Sequence, residues 1–274
     1  MNTIQEKYID TNGLTTHYWE VGEGEPLILI HGGGAGADAW INWRKLLERY
    51  SKNGFRTIAY DLIGYGESSK PDPENFKYDH EARAEQLISF IKALGLEKVS
   101  LIGNSLGGAT SIVATLKEPD KINKLVLMGT GGRRRPGETS ASFKSLHSFG
   151  NERDEMRQII RNLTNPEFEI EEEMIEYRLK LANDPETSKA YSAIMKYLKE
   201  GNSFIPDEEI KKIKHKTLLV HGRNDNQVPV EKSFELEKLI ENAWLYVIPH
   251  CGHWAMIERT DEFIKLTTDF LKNY

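Results

Sequence analysis

The chain has 274 residues, of which 39% are hydrophobic and 28% charged, a balance typical of one soluble globular domain, with or without an inserted subdomain. Its net charge of −6 argues against nucleic acid as a main partner, and no apolar run approaches the ~20 residues that a membrane span needs. The single cysteine, Cys251, excludes an internal disulfide and a multi-cysteine metal site. The charged first ten residues lack the apolar stretch of a secretory signal, so we expect a cytoplasmic protein with no membrane partner.

The predicted elements begin with a β-hairpin whose two-residue turn is Asn12-Gly13. Six short apolar runs follow, and such runs are typical of strands buried on both faces of a parallel sheet. They read PLILIHG, RTIAYD, KVSLIGN, KLVLMGT, KTLLVHG and AWLYVIP. Helical patterns lie between them. One helical face is formed by Ala84, Leu87, Ile88, Ile91 and Leu94. Gly95 follows as the predicted C-cap, and the alternation of strands and helices predicts an α/β fold.

The alternation stops between residues 134 and 206. Charged helix-like stretches and loops fill this range, and the strand pattern resumes at KTLLVHG. Because a structureless loop of this length is improbable in a compact domain, we predict a helical lid at 134–206. The core is then formed by 1–133 and 207–274. The basic run 133–135 at the lid's entry is predicted to be a solvated hinge rather than an anion gate.

A serine stands between two glycines in LIGNSLGG, where a buried run ends and a helical pattern starts. The pattern Gly103-x-Ser105-x-Gly107 at a strand-to-helix turn is a nucleophile elbow, in which the glycines allow the sharp turn. The N–H of Leu106 can then donate to a developing oxyanion. A tight glycine turn that happens to carry a serine is the alternative.

A serine nucleophile needs a base and an acid that orients the base, in the chain order Ser, acid, His for this architecture. Asp225 follows the run KTLLVHG, and His253 follows the last apolar run. Loop residues of these types are often only polar surface, but their positions after strand ends favour the catalytic interpretation. His250, three residues before His253, is the competing base.

The glycine-rich stretch HGGGAGADAW directly follows a predicted strand. A backbone N–H of this loop is the second oxyanion donor that the architecture requires, and we choose Gly33 by its position after His31. His31 itself is predicted to orient the loop. Neither phosphate-binding glycine pattern is present, which argues against a nucleotide cradle.

These motifs resemble those of the α/β-hydrolases over essentially the full length of the chain. More narrowly, the chain resembles the meta-cleavage product hydrolases, which hydrolyse carbon–carbon bonds in the breakdown of aromatic rings. The resemblance is carried by HGGGAGADAWINWR, by the asparagine before the nucleophile in GNSLGG, and by CGHWAMIE. Ala35 is a departure, because the family commonly has proline after its glycines.

The predicted lid contains one arginine on an apolar helical stripe. The stripe in EEEMIEYRLKLAND is formed by Met174, Ile175, Leu181 and Ala182, with Arg178 in its middle. Such an arginine must snorkel, pair with a carboxylate or face a ligand, and structural pairing is the usual outcome. The family resemblance implies that Arg178 binds the acidic end of the substrate.

Three further residues are candidate substrate contacts. Trp254 follows the predicted catalytic histidine; core packing is the alternative, and the family places a tryptophan against the substrate there. Asn104 precedes the nucleophile and either satisfies backbone groups or, by resemblance, contacts the dienoate. Asn42 is either a helix cap or a substrate contact.

The resemblance implies a hydrolase with a Ser105–His253–Asp225 triad and with no cofactor or metal. Its small acidic substrate would be a 2-hydroxy-6-oxo-hexa-2,4-dienoate, cleaved to 2-hydroxypenta-2,4-dienoate and a carboxylic acid. A carboxylesterase or lactonase with the same triad is the main alternative, and a ligand-binding receptor on this fold is a second. The carbon-6 substituent and the oligomeric state stay open, although the family often forms homodimers.

Overall fold

The computed structural model describes residues 3–133, 135 and 151–274. Its centre is an eight-stranded sheet in the order β1-β2-β4-β3-β5-β6-β7-β8. The strands are β1 (Gln5–Thr11), β2 (Leu14–Val21), β3 (Glu25–Ile30), β4 (Phe55–Tyr60), β5 (Val99–Asn104), β6 (Ile122–Met128), β7 (Thr217–Gly222) and β8 (Ala243–Ile248). β2 pairs antiparallel with β1 and β4, and every other pair is parallel. The carboxyl ends of β3 to β8 therefore meet at one edge of the sheet, where loops can build a site.

The predicted hairpin is confirmed, since β1 and β2 are joined by Asn12 and Gly13. Both residues have positive φ, 58° and 80°, the left-handed pair that a tight hairpin turn requires. Asparagine and glycine are the residues that enter this region at least cost.

All six apolar runs form strands. β3 to β7 are almost entirely buried on both faces, as predicted. The prediction is wrong for β8, where Trp244 and Tyr246 are each 40% exposed and burial alternates along the strand. β8 is an edge strand with a neighbour on one side only, so it is less covered than the central strands.

The α-helices of the described residues lie between and after the strands. They are α1 (Ala39–Lys52), α2 (His80–Ala93), α3 (Leu106–Lys117), α4 (Arg153–Leu163), α5 (Glu172–Ala182), α6 (Pro185–Lys199), α7 (Asp207–Ile210), α8 (Glu231–Leu239), α9 (Ala255–Glu258) and α10 (Thr260–Asn273). α2 carries the predicted apolar face, and Gly95 follows it with φ 66°, which confirms the predicted helix end. Across the described residues, the helices include none that is both long and apolar enough to cross a bilayer.

Between β6 and β7, the described residues 151–206 form α4, α5 and α6 and no strand. The start of the predicted lid, 134 and 136–150, lies outside the described residues. The division of the chain into a core and a lid at 134–206 stays a prediction. We call the described residues 151–206 the inserted segment.

The predicted solvated hinge is wrong at its first residue. Arg133 is 1% exposed, and its guanidinium bonds to the carbonyl of Ile205 at 2.8 Å and to the carboxylates of Asp207 at 2.6 Å and Glu235 at 3.2 Å. A buried charge needs such partners. Arg133 therefore ties the chain before the inserted segment to the chain that leaves it.

Candidate active site

Ser105 lies at the turn between β5 and α3, with φ 52°. Its N–H donates to the carbonyl of Met128 at 2.9 Å, which holds this unfavourable backbone conformation in place. The flanking glycines are needed for space. A Cβ on Gly107 would lie 2.3 Å from the carbonyl oxygen of Ile30, and one on Gly103 would lie 2.5 Å from that of Gly107. The sharp turn predicted from the Gly-x-Ser-x-Gly pattern is present.

Asp225 and His253 meet although they follow different strands. Asp225 comes after β7 and His253 after β8, and His253 Nδ1 lies 2.6 Å from Asp225 Oδ2. The other carboxylate oxygen accepts the N–H groups of Gln227 at 2.7 Å and Val228 at 3.0 Å. Both oxygens are thus engaged, which fixes the carboxylate and leaves the far side of the imidazole toward the cavity that Ser105 lines.

The charge of Asp225 is held inside the protein by its neighbours. Burial alone would raise the pKa of this carboxyl, but the His253 ring, its hydrogen bond and the neighbouring His221 outweigh burial and hold the pKa of Asp225 well below its ordinary value. The carboxylate is therefore ionised at neutral pH and can orient the imidazole.

The competing histidine is placed elsewhere. His250 is exposed, has φ 50°, and its carbonyl accepts a hydrogen bond from Arg259. It does not line the cavity beside Ser105, whereas His253 does. The geometry therefore favours His253 as the base.

The glycine loop after β3 lies against the elbow. His31 is fully buried; its Nδ1 lies 2.8 Å from the Gly32 carbonyl, and its Nε2 accepts the N–H of Leu62 at 3.0 Å. A Cβ on Gly33 would lie 2.6 Å from Leu106 Cδ2, so the two residues that carry the predicted oxyanion donors are neighbours. Leu106 is the first residue of α3, where a backbone N–H has no partner within the helix.

A small cavity lies between this loop, the elbow and the inserted segment. It is lined by Gly32, Gly33, Gly34, Ala37, Asn42, Asn104, Ser105, Leu163, Arg178, His253 and Trp254. Every predicted substrate contact is thus brought to one cavity with the predicted nucleophile and base. Asp225 and Leu106 do not line this cavity. Asp225 contacts His253, which does, and Leu106 is next to Gly33, which also does.

Arg178 projects from α5 and is 1% exposed. Its Nη2 donates to the carbonyl of Ala35 at 2.6 Å, and its guanidinium carbon stands 5.0 Å from the centre of the Trp254 ring. Burial lowers the pKa of Arg178 to about 10, so the group stays charged at neutral pH. Its Nε has no hydrogen-bond partner among the described residues.

Two asparagine oxygens beside the cavity share this lack of a partner. Asn104 donates through Nδ2 to the carbonyls of Met128 at 3.2 Å and His253 at 3.5 Å, so it does satisfy backbone groups. Its Oδ1 and that of Asn42 are buried and accept no hydrogen bond within the described chain. Asn42 is not a helix cap, because Asp38 caps α1 by accepting the N–H of Ile41.

The chain is similar to known proteins over nearly its whole length. The family described as alpha/beta hydrolase fold matches residues 25–162 and 134–260. The chain is 41% identical to the 2-hydroxy-6-oxo-6-(2'-aminophenyl)hexa-2,4-dienoic acid hydrolase of Metapseudomonas resinovorans, over 97% of this chain and 90% of that protein. It belongs to the meta-cleavage product hydrolases of the α/β-hydrolase family.

Two further relatives agree with this membership of the meta-cleavage product hydrolases. The 2-hydroxy-6-oxo-2,4-heptadienoate hydrolase of Pseudomonas putida is 33% identical, over 94% of this chain and 93% of that protein. The solved structure of a meta-cleavage product hydrolase from Pseudomonas fluorescens superposes with a TM-score of 0.88 at 32% identity, covering 97% of both chains.

Two site features of this meta-cleavage product hydrolase escaped the sequence analysis. His221 Nε2 lies 3.3 Å from Asp225 Oδ2, so the acid has a second histidine beside it. The available signal was a histidine inside the buried strand β7, where a polar side chain needs a partner. Leu163 lines the cavity from the end of α4, and its carbonyl accepts the N–H of His253 at 2.9 Å.

Proposed function

We propose that this chain hydrolyses the carbon–carbon bond between carbons 5 and 6 of a 2-hydroxy-6-oxo-hexa-2,4-dienoate. The main support for this proposal is the set of polar side chains that line the cavity. A buried arginine with an unpartnered Nε and two asparagines with unpartnered oxygens line the same space as Ser105 and His253. Buried polar groups left unpaired are costly, so such a set favours a ligand that brings both an anion and a hydroxyl donor. A 2-hydroxy acid has both at one end.

Catalysis would begin with the dienol, which tautomerises as the proton of the 2-hydroxyl is replaced by a proton on carbon 5. Ser105 then attacks the carbon-6 ketone while His253 accepts its proton, with Asp225 orienting the imidazole. The N–H groups of Gly33 and Leu106 would hold the oxyanion. The C5–C6 bond breaks with its electron pair delocalised toward the 2-oxo group, which gives the acyl-enzyme and a dienolate. The dienolate oxygen takes up the proton that His253 received from Ser105, so this fragment leaves as the hydroxypentadienoate and His253 is again neutral. Water, activated by His253, releases the acid from Ser105.

Recognition would come from Arg178 on the inserted segment together with core residues that line the same cavity. Arg178 would bind the substrate carboxylate, and Asn104 would accept the 2-hydroxyl. Trp254 would pack against the conjugated chain, and Asn42 would supply a further acceptor. Residues 134–206 would act as the lid over the core, so that substrate is enclosed between core glycines and lid arginine.

The names of two relatives guide the choice of test substrates. One is named for a hexadienoate with an aminophenyl group at carbon 6, and the other for a heptadienoate, whose chain is one carbon longer. A panel of such dienoates is followed by loss of visible colour, beside a nitrophenyl acetate assay. We expect kcat/KM to be far higher on at least one dienoate than on the ester. Turnover of the ester alone would make the protein a carboxylesterase, and binding without turnover would make it a receptor.

A further inference from the structure

Arg178 of the inserted segment, the candidate carboxylate-binding residue, contacts the glycine loop through both its backbone and its side chain. Gly36 has φ 64°, and a Cβ there would lie 2.0 Å from the backbone oxygen of Arg178. Arg178 Nη2 donates to the Ala35 carbonyl, so the side chain and the backbone of one residue contact adjacent loop residues. The position of α5 relative to the glycine loop therefore determines where the guanidinium of Arg178 lies.

Tyr191 on α6 lies beside the same loop residue. Burial raises the pKa of the Tyr191 hydroxyl, and the backbone of Ala35 partly offsets this rise. The glycine loop therefore adjoins α6 as well as α5.

A second bond joins α5 to the residue that caps α1. The hydroxyl of Tyr177, the residue before Arg178, donates to Asp38 Oδ2 at 2.6 Å. Asp38 Oδ1 accepts the N–H of Ile41 at 2.8 Å, and the carboxylate is 4% exposed. One buried carboxylate thus caps α1, which bears Asn42, and anchors α5, which bears Arg178.

We infer that Tyr177 and Asp38 are positioning residues that set Arg178 for the substrate carboxylate. An arginine side chain has many rotamers, and a fixed backbone at its own position reduces the ordering that substrate binding must supply. Ala35 and Trp254 orient the guanidinium, whereas the Tyr177–Asp38 bond holds the helix beneath it. The inference rests on the proposed function, because it assigns the pair to binding of an acidic substrate.

Tyr177→Phe removes one hydroxyl and tests the inference at pH 8. We expect kcat/KM on the best dienoate to fall about tenfold, mainly through KM, near the lower end of what a hydrogen bond to a charged group contributes. Hydrolysis of nitrophenyl acetate should be unchanged. Tyr246→Phe is the matched control, because it also removes a tyrosine–carboxylate bond, at 2.9 Å to Glu262, on a strand that contributes nothing to the cavity lining.

Two double variants separate positioning from general support of the fold. In an Arg178→Gln background, Tyr177→Phe should cause no further loss on the dienoate, because its effect acts through Arg178. Asp38→Ser keeps an N-cap side chain but is too short to reach Tyr177, so it should match Tyr177→Phe and add nothing to it.

Equal losses on dienoate and ester, an unchanged KM, or additive losses with Arg178→Gln would each overturn the positioning role while leaving the proposed function intact. A wild-type protein that hydrolyses no dienoate would overturn the proposed function, and the positioning role with it.

Discussion

The catalytic groups on the elbow side of the cavity and the recognition groups around Arg178 differ in how their polar atoms are partnered. At the elbow, both oxygens of Asp225 are engaged and the Ser105 backbone is bonded to a neighbouring strand. Arg178 on the inserted segment keeps an unpartnered Nε, and two asparagine oxygens on the core are likewise unpartnered within the described chain. The catalytic groups are thus held in place without substrate, whereas the recognition groups keep free hydrogen-bonding atoms for it.

This difference has a physical reason. Groups that move protons gain from preorganisation, since no reorganisation is then needed during the reaction. Groups that recognise a ligand must leave hydrogen-bonding capacity for it, and their cost is offset only when the ligand binds. We therefore expect variants of the catalytic groups on the elbow side to affect every substrate, and variants of Arg178 on the inserted side to affect acidic substrates alone.

The largest effect should come from Ser105→Ala. Loss of a triad nucleophile costs several orders of magnitude in kcat, while substrate binding should persist. Steady-state rates on dienoate and ester, with the dienoate's absorbance spectrum as the binding signal, measure both. A variant that keeps a tenth of the wild-type kcat on either substrate would remove Ser105 as nucleophile.

The two histidines give the next test of the elbow side. His253→Ala should abolish hydrolysis of dienoate and ester alike, because the imidazole must accept the serine proton. His250→Ala, the neighbouring control outside the cavity, should retain wild-type rates. The reverse result would assign the base to His250 and would contradict the geometry around Asp225.

A smaller and selective effect is expected on the inserted side. Arg178→Gln should lower kcat/KM on the dienoate roughly 10- to 150-fold, the range for losing a hydrogen bond of about 1.5–3 kcal/mol to a charged group. The neutral ester should lose little. Arg157→Gln is the control, because Arg157 forms an exposed ion pair with Glu172 at 2.6 Å. Equal losses on both substrates in Arg178→Gln would indicate a structural arginine and erase the contrast between the two sides.

The smallest effect concerns the folding stability at Asp38, which bonds to both α1 and α5. Burial, with Asp61 as the second cause, raises the pKa of Asp38 to about 7. Because this exceeds the unfolded value of about 3.9, ionising Asp38 costs stability progressively as pH rises from about 4 to about 7. Asp38→Asn should therefore gain stability relative to wild type between pH 5 and pH 8, by at most a few kcal/mol. Urea unfolding at both pH values measures the gain, and a pH-independent difference would contradict the raised pKa.

The sequence predicted the central fold well, because its signals there are local. A buried parallel strand reads as a short apolar run, and Asn12-Gly13 or Gly95 mark backbone that must enter the left-handed region. The failures are also physical. Burial of β8 depends on its place at the edge of the sheet, and Arg133 depends on acidic partners more than 70 residues away.

For the site, the sequence by itself determined which residues could serve as nucleophile, acid and base, since the elbow is a steric requirement written in consecutive residues and chain order follows strand order. Tertiary structure alone decided which polar atoms remain unpartnered and that Tyr177 bonds to Asp38. Both outcomes depend on residues from different elements. No local pattern encodes them, because a hydrogen bond between distant residues exists only once packing has fixed both of its ends.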